Sequence, residues 1–154
     1  MDNQQQIIFS DDLRYRYSFY QKWNDNESIM FVGLNPSLSE GLNPTLNKCI
    51  ALAKVWGFGS CYILNLFAAR AKTPNDLRKL SEPIGDENDQ WLQKTSKLVA
   101  KVVFAWGTHG NFLDRDFVIS KMFPDAYCLG KTKDGFPKHP LYLRSDTSLV
   151  LFHP

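Results

Sequence analysis

The stretch Ile29-Met30-Phe31-Val32-Gly33-Leu34, closed by Asn35-Pro36-Ser37, decides how this chain is read. A short unbroken apolar run ended by a turn-forming Asn-Pro pair is the pattern of a strand buried on both faces. Three further runs repeat it: Cys61 to Phe67, broken only by Asn65, then Val102 to Trp106, then Ala126 to Leu129. Between the runs lie helical patterns. One opens at Pro44-Thr45 and reaches Trp56, with a stop at Gly57. A short one follows Thr73-Pro74, another follows Gly85-Asp86 with Trp91, Leu92, Leu98 and Val99 inward, and a last one spans Asn111 to Met122. Strands alternating with helices predict an α/β fold: a single three-layer domain with a short, mostly parallel four-stranded sheet and helices on both faces. Before the first run, Leu13 to Trp23 reads as an extended aromatic segment suited to a hairpin with the apolar run after it, turning at Asn24 to Asn26. Residues 1–12 are expected to be a flexible start and 13–154 one domain.

Composition agrees with one ordinary domain. The 154 residues are 44% hydrophobic and 14% aromatic, enough for a core without disulfide or metal staples. A formal charge of +2 neither demands nor excludes an anionic partner, but the charge is uneven. Lys131, Lys133, Lys138 and Arg144 face only Asp134 in one segment, which predicts a local basic loop. The three cysteines, Cys49, Cys61 and Cys128, sit among apolar neighbours and form no CxxC pair, as buried thiols in a reducing compartment would. Met1 to Gln6 is polar, and no apolar run has the length of a membrane span, so a cytoplasmic protein without a membrane partner is expected.

In an open parallel sheet the ligand crevice lies beyond the carboxyl ends of the strands. Here every strand ends in polar punctuation: Asn35-Pro36-Ser37, then Asn65 with Arg70 beyond it, then Gly107-Thr108-His109, then Gly130 to Tyr142. Amides, histidines and a basic loop around one crevice suit hydrogen bonding to a base-like or sugar-phosphate ligand. Each element also has a plainer explanation. Asn35-Pro36 taken alone reads as a turn. Asn65 is either a satisfied core amide or a ligand contact, since an amide inside a strand must find partners. Asn88 suits a helix cap, His139 a solvated loop, and Leu141-Tyr142 either core or an apolar wedge on a loop. His109 and His153 have no metal-ligand spacing, so no metal is expected, and no cofactor. Gly130-Lys131-Thr132 ends like a phosphate-binding loop, yet the earlier glycine position holds Asp125. No GxSxG, HExxH or GxGxxG occurs.

Taken together, the segments LNPS (34–37), Pro44-Thr45, NLFAAR (65–70), Gly85 with Asn88-Asp89, AWG (105–107) and GKTKDGFPKHPLYL (130–143) resemble a family of bacterial, archaeal and phage proteins known as domain of unknown function sixteen forty-three. That resemblance covers nearly the whole chain and implies no activity. The chain departs from the family pattern at Asn43, where an Asp is usual.

A more distant resemblance is to the uracil-DNA glycosylase superfamily, carried by Gly33-Leu34-Asn35-Pro36-Ser37, Tyr62-Ile63-Leu64-Asn65, Val102 to Gly107 and His139-Pro140-Leu141. It implies a glycosylase-like fold and the cleavage of an N-glycosidic bond. Such a site holds water near the sugar and donates to the carbonyls of the departing base. In that scheme Asn35 orients the water, Asn65 with Asn88 reads the base, and His139 stabilises its leaving charge. Asp89 is the nearest carboxylate for a true base. Ser37, Arg70, Lys131, Thr132, Lys133 and Lys138 would hold phosphates, and Leu141 or Tyr142 would fill the gap left by a flipped nucleotide. Two departures stand out: Leu rather than Ser follows His-Pro, and the interval between the first two motifs is short.

The leading expectation is therefore a glycosylase-like enzyme acting on a base in DNA, a nucleoside or a nucleotide. A binding module that holds a nucleotide or modified base without turnover is the second. A protein-interaction factor of phage or bacterial origin, using Tyr15, Tyr17, Phe19, Tyr20 and Trp23, is the third.

Overall fold

In the computed structural model, residues 4–153 are described. The four apolar runs form β3 (Ser28–Gly33), β4 (Ser60–Asn65), β5 (Lys101–Phe104) and β6 (Tyr127–Cys128). They are adjacent and paired in parallel, β4 and β5 flanking β3, and β6 beside β5. The sheet does not stop there. With β1 (Gln4–Phe9), β2 (Arg16–Lys22) and β7 (Val150–Leu151) it has seven strands among the described residues, in the order β1-β2-β4-β3-β5-β6-β7, and three of the six pairings are antiparallel. The expected four-stranded, mostly parallel sheet is thus corrected to a larger mixed one.

The added strands come from segments with weak patterns. β1 (Gln4–Phe9) arises within the expected flexible start, and it pairs antiparallel with β2 (Arg16–Lys22). The hairpin of the aromatic segment is therefore made with the residues before it, and β2 then pairs with β4. Gln4 to Gln6 are polar because one edge of β1 faces solvent, which hides the strand from any apolar count. At the other edge β7 (Val150–Leu151) pairs with β6 over two exposed residues. Residues 1–3 of the expected flexible start lie outside the described residues.

Alternation along the strands builds two cores. Ile29, Phe31, Ile63 and Val103 point to one face and meet Leu46, Cys49 and Leu52 of α1 (Pro44–Val55). Met30, Val32, Leu64 and Phe104 point to the other. There they meet Leu77 of α2 (Pro74–Arg78), Leu92 of α3 (Asn88–Ser96) and Ile119 of α4 (Arg115–Met122). Tyr15 and Tyr17 are buried in the second core and Phe19 in the first, so the aromatic surface imagined for a protein partner is largely used in packing. The helix expected from Asn111 is shorter. Leu113 and Asp114 adopt left-handed backbone, and regular α-helix begins at Arg115. Among the described residues, no helix is long and apolar enough to cross a membrane.

The connections explain where the strand ends open. After β3 the chain crosses to the α1 face, whereas after β5 it reaches α4 on the opposite face. The two loops diverge between neighbouring strands, and such a switch point leaves a crevice at the sheet edge. Close packing holds this edge: a Cβ on Gly110 would lie 2.4 Å from Cδ1 and 2.6 Å from Nε1 of the buried Trp106 indole. Gly110→Ala is expected to cost about 1–3 kcal/mol by overpacking, read as a lower urea midpoint. An unchanged midpoint would show that the indole has room to move.

Candidate functional site

A crevice of about 670 Å³ occupies the switch point. Residues 33–37 line it from the end of β3, Asn65 from β4, residues 105–109 from β5, and Thr132 with residues 138–141 from the basic loop. Pro44, Thr45, Leu46 and Cys49 of α1 close one side over a floor of Phe31 and Ile63. Asn35, Ser37, Asn65, Thr132, Lys138, His139 and Leu141 thus share one cavity, together with His109 and Thr108.

Backbone pairing continues past the strands and builds the rim. Leu66 N–H donates to Gly33 O (2.9 Å), Phe67 N–H to Leu34 O (3.0 Å) and Ala71 N–H to Pro36 O (3.1 Å). The Asn35 side chain joins this seam, its Nδ2 donating to the carbonyls of Pro36 (2.9 Å) and Ala71 (3.1 Å). That fixes the amide plane, and among the described residues no donor satisfies its Oδ1. Ser37 is tied in turn to α1. Its Oγ accepts from Asn43 Nδ2 (3.2 Å), while Asn43 Oδ1 caps the helix at Leu46 N (2.9 Å). An asparagine supplies both contacts here, one as donor and one as acceptor, where a carboxylate would supply acceptors only.

Asn65 is 4% exposed and its Nδ2 has no hydrogen-bond partner, although it lines the crevice. Its Oδ1 lies so close to Gly33 that a Cβ there would stand 2.8 Å away. A buried amide end without a partner is uncommon in folded proteins and signals strain, water or a ligand. Asn88 behaves differently. It is fully buried behind the crevice, and its Nδ2 donates to the carbonyls of Asn65 (2.9 Å) and Leu66 (3.1 Å), leaving only its Oδ1 without a partner. Arg115 braces the same turn through Nε to Leu66 O (3.0 Å) and pairs with Asp89 at 2.7 Å. Asn88 and Asp89 are not among the lining residues: they hold the exit of β4 from the far side of the sheet. Asn88, expected as a base contact, and Asp89, expected as a carboxylate base, thus stand outside the crevice.

The basic residues divide in the same way. Arg70 is consumed by three carbonyls, those of Leu38 (2.7 Å), Leu13 (3.0 Å) and Ser37 (3.5 Å), and anchors the rim instead of reaching into the crevice. Lys131 donates to the His153 carbonyl and lies over the Phe152 ring, and Lys133 is exposed; neither lines the crevice. Only Lys138 of the three loop lysines does. The loop itself is a small hairpin, with Lys131 bridged to Pro137 and Thr132 N–H donating to Phe136 O at 2.7 Å. It is moored where Gly107 N–H donates to Pro137 O (3.0 Å), which sets His139 beside Gly107. Tyr142 lies outside the lining, 95% exposed and in left-handed backbone, φ 71°. A bulky residue in that conformation is unusual and is displayed, not packed.

His139 Nδ1 accepts from Leu141 N–H at 3.1 Å, so a neutral ring carries its proton on Nε2. The ring is partly exposed, yet desolvation by the surrounding turn lowers its pKa below the ordinary histidine value. The three cysteines are buried and free. Burial pushes the Cys61 thiol up to about 12 and Cys49 well above its ordinary value, which removes Cys49 as a nucleophile despite its place on the crevice wall. Among the described residues, no group of three or more His, Cys, Asp or Glu converges as metal ligands would.

Reading the sequence missed Arg16. It is 3% exposed, it lines the crevice, and its Nε has no partner. Its only signal was a charged residue inside an aromatic strand segment, Tyr15-Arg16-Tyr17.

Fold and crevice together define a mixed α/β protein with a pocket at a sheet switch point that, among the described residues, no carboxylate lines. The family described as "Protein of unknown function (DUF1643)" matches residues 16–141, and the chain belongs to it. No curated protein and no solved structure matches the chain, so the likeness to uracil-DNA glycosylases rests on its short motifs alone.

Two measurements test the division of roles. Asn88→Ala is expected to cost about 2–4 kcal/mol, since it strips donors from two buried carbonyls, whereas Asn65→Ala should stay within about 1 kcal/mol of the parent. Equal losses in urea denaturation would make Asn65 a structural amide. In an NMR titration His139 should protonate below the ordinary histidine value. Because the folded pKa is the lower one, its contribution to stability is present at neutral pH and declines as pH falls from the unfolded toward the folded value. His139→Ala should flatten that part of the pH–stability profile.

Proposed function

We propose that the crevice recognises a nucleobase, carried by DNA or by a nucleoside or nucleotide. The observation that carries this reading is the buried, unpartnered Asn65 amide at the end of β4. An amide offers a donor and an acceptor side by side, which matches the paired edge of a base. The apolar floor of Phe31 and Ile63 and the flat imidazole of His139 suit a planar ring. Neutral His139 donates from Nε2 to a base carbonyl and strengthens that bond as negative charge grows on a departing base.

Hydrolysis of the N-glycosidic bond is the step this site would perform, with Asn35 Oδ1 accepting from the attacking water. Asn35 orients that water without deprotonating it. Catalysis then depends on charge stabilisation at the base: the water oxygen bonds C1′ as the N-glycosidic bond breaks, and the proton the water sheds neutralises the departing base anion. That no Asp or Glu among the described residues lines the crevice favours the second reading, a base- or nucleotide-binding module without turnover.

Purified protein incubated with DNA and with nucleoside pools rich in modified bases, followed by mass spectrometry of free bases, separates the two. Base release is expected from the parent and reduced by about 10²-fold or more in Asn35→Ala and His139→Ala. Saturable binding of an intact nucleoside, lost in Asn65→Ala and without release, would establish the binding module. Neither release nor binding from any pool would end the nucleobase reading.

A further inference from the structure

Arg16 is a charged residue to which the fold offers an aromatic ring but, among the described residues, no anion. Its backbone is fixed in β2, its N–H donating to Ala68 O (2.9 Å). Its side chain is 3% exposed, and the guanidinium carbon lies over the Phe19 ring at 5.9 Å from its centre, a weak cation–π contact that neutralises no charge. Among the described residues it forms no ion pair and none of its guanidinium N–H groups meets an acceptor, and Nε is fully buried. The one charge among the described residues that acts on it is also positive. Desolvation first, and then the Arg70 guanidinium, pull Arg16 down to about 10, so it remains a cation at neutral pH. Arg70 has three carbonyls to compensate it and Arg16 has none.

A buried cation left unpaired destabilises the fold, and a structural role would be served as well by an apolar side chain of similar length. What Arg16 does have is access to the crevice. The walls near it are Phe31, Ile63, Leu46 and Cys49, with Pro44 and Thr45 opening the twelve-residue helix α1 beside them. A low-dielectric wall strengthens a guanidinium's bidentate grip on an oxyanion, and a helix start adds partial positive charge. Lys138 at the rim has the same sign, and among the described residues no carboxylate lines the cavity to compete.

We infer that Arg16 is the anion-recognising residue of the crevice, and that the ligand enters with a terminal oxyanion, a phosphate monoester or a carboxylate, which pairs with the guanidinium. This rests on the crevice being the ligand site and deepens the nucleobase reading toward a free mononucleotide. The terminal position follows from the burial of Arg16. An internal phosphodiester continues on both sides and needs an open basic track, whereas Lys131 and Lys133 stand off the crevice. A cavity of about 670 Å³ is in the range that encloses a molecule of mononucleotide size.

The test is thermal melting of the full chain and of Arg16→Met and Arg16→Lys. The probes are inorganic phosphate, citrate, nucleoside 5′-monophosphates, the matching nucleosides, and an oligonucleotide without terminal phosphate, at matched ionic strength. Without ligand, Arg16→Met should melt at or above the parent temperature, because it removes a buried unpaired charge; a clear fall, or failure to fold, would mean the protein itself holds the guanidinium and would overturn the inference. At ~10 mM, at least one terminal-oxyanion probe should raise the parent melting temperature by several degrees, with no rise in Arg16→Met and a partial one in Arg16→Lys. Which probe acts, phosphate ester or carboxylate, names the source of the oxyanion. No rise with any of them, an equal rise in Arg16→Met, or Arg16-dependent protection by the oligonucleotide to the same degree would overturn it. Nucleosides report separately on the base: protection by them that persists in Arg16→Met supports the nucleobase reading whatever becomes of the anion.

Discussion

The approach of the Asn65 amide onto Gly33 is the constraint around which the site is built. β3 and β4 pair in parallel with Gly33 opposite Asn65, and a Cβ at position 33 would stand 2.8 Å from Asn65 Oδ1. Only the absence of that Cβ lets the amide lie across the strand end. From this point the chain segments beyond both strands stay zipped through Leu66, Phe67 and Ala71, with Asn35 locked into the seam. A slip of one residue in this register would send every alternating side chain to the wrong core and dissolve the pocket edge at once.

Support for that edge comes from polar groups that look catalytic in the sequence and are structural in the fold. Asn88, Asp89, Arg115 and Arg70 all spend their hydrogen bonds on backbone carbonyls or on each other at the exits of β3 and β4. Loop exits carry carbonyls that no strand partner satisfies, and buried carbonyls need donors. The residues that line the crevice and keep a polar atom without a protein partner among the described residues include Asn65, Asn35, Arg16 and Trp106, while Asn88, away from the crevice, also keeps an unpartnered Oδ1. Place decides more than residue type: Asn88 and Asn65 both keep one unpartnered amide atom, but only Asn65 lines the crevice.

The parallel core was legible because continuous apolar runs with β-branched and aromatic residues leave few alternatives to a doubly buried strand. The helix from Pro44 was legible for a similar reason, its cap and its glycine stop both being local. What escaped was the outer part of the sheet. Gln4–Phe9 has a polar half and Val150–Leu151 is only two residues long, so neither carries a period that can be counted. Of the site, Asn35, Ser37, Asn65, Thr132, Lys138, His139 and Leu141 could be named, because the strand-end rule points to the residues after each apolar run. Arg16 could not, since it belongs to an antiparallel strand that enters this edge from the opposite direction.

By itself, then, the sequence determined local identity: which segments are buried strands, where α1 starts, and that polar residues crowd the strand ends. Those properties depend on periods and caps that act over a few residues. Tertiary structure decided which of the polar residues have partners. A hydrogen bond such as Asn88 to the Asn65 carbonyl joins positions 23 apart, and the isolation of Arg16 is set by every element packed around it. Whether a polar side chain is free for a ligand depends on its whole surroundings, and only the folded chain supplies those.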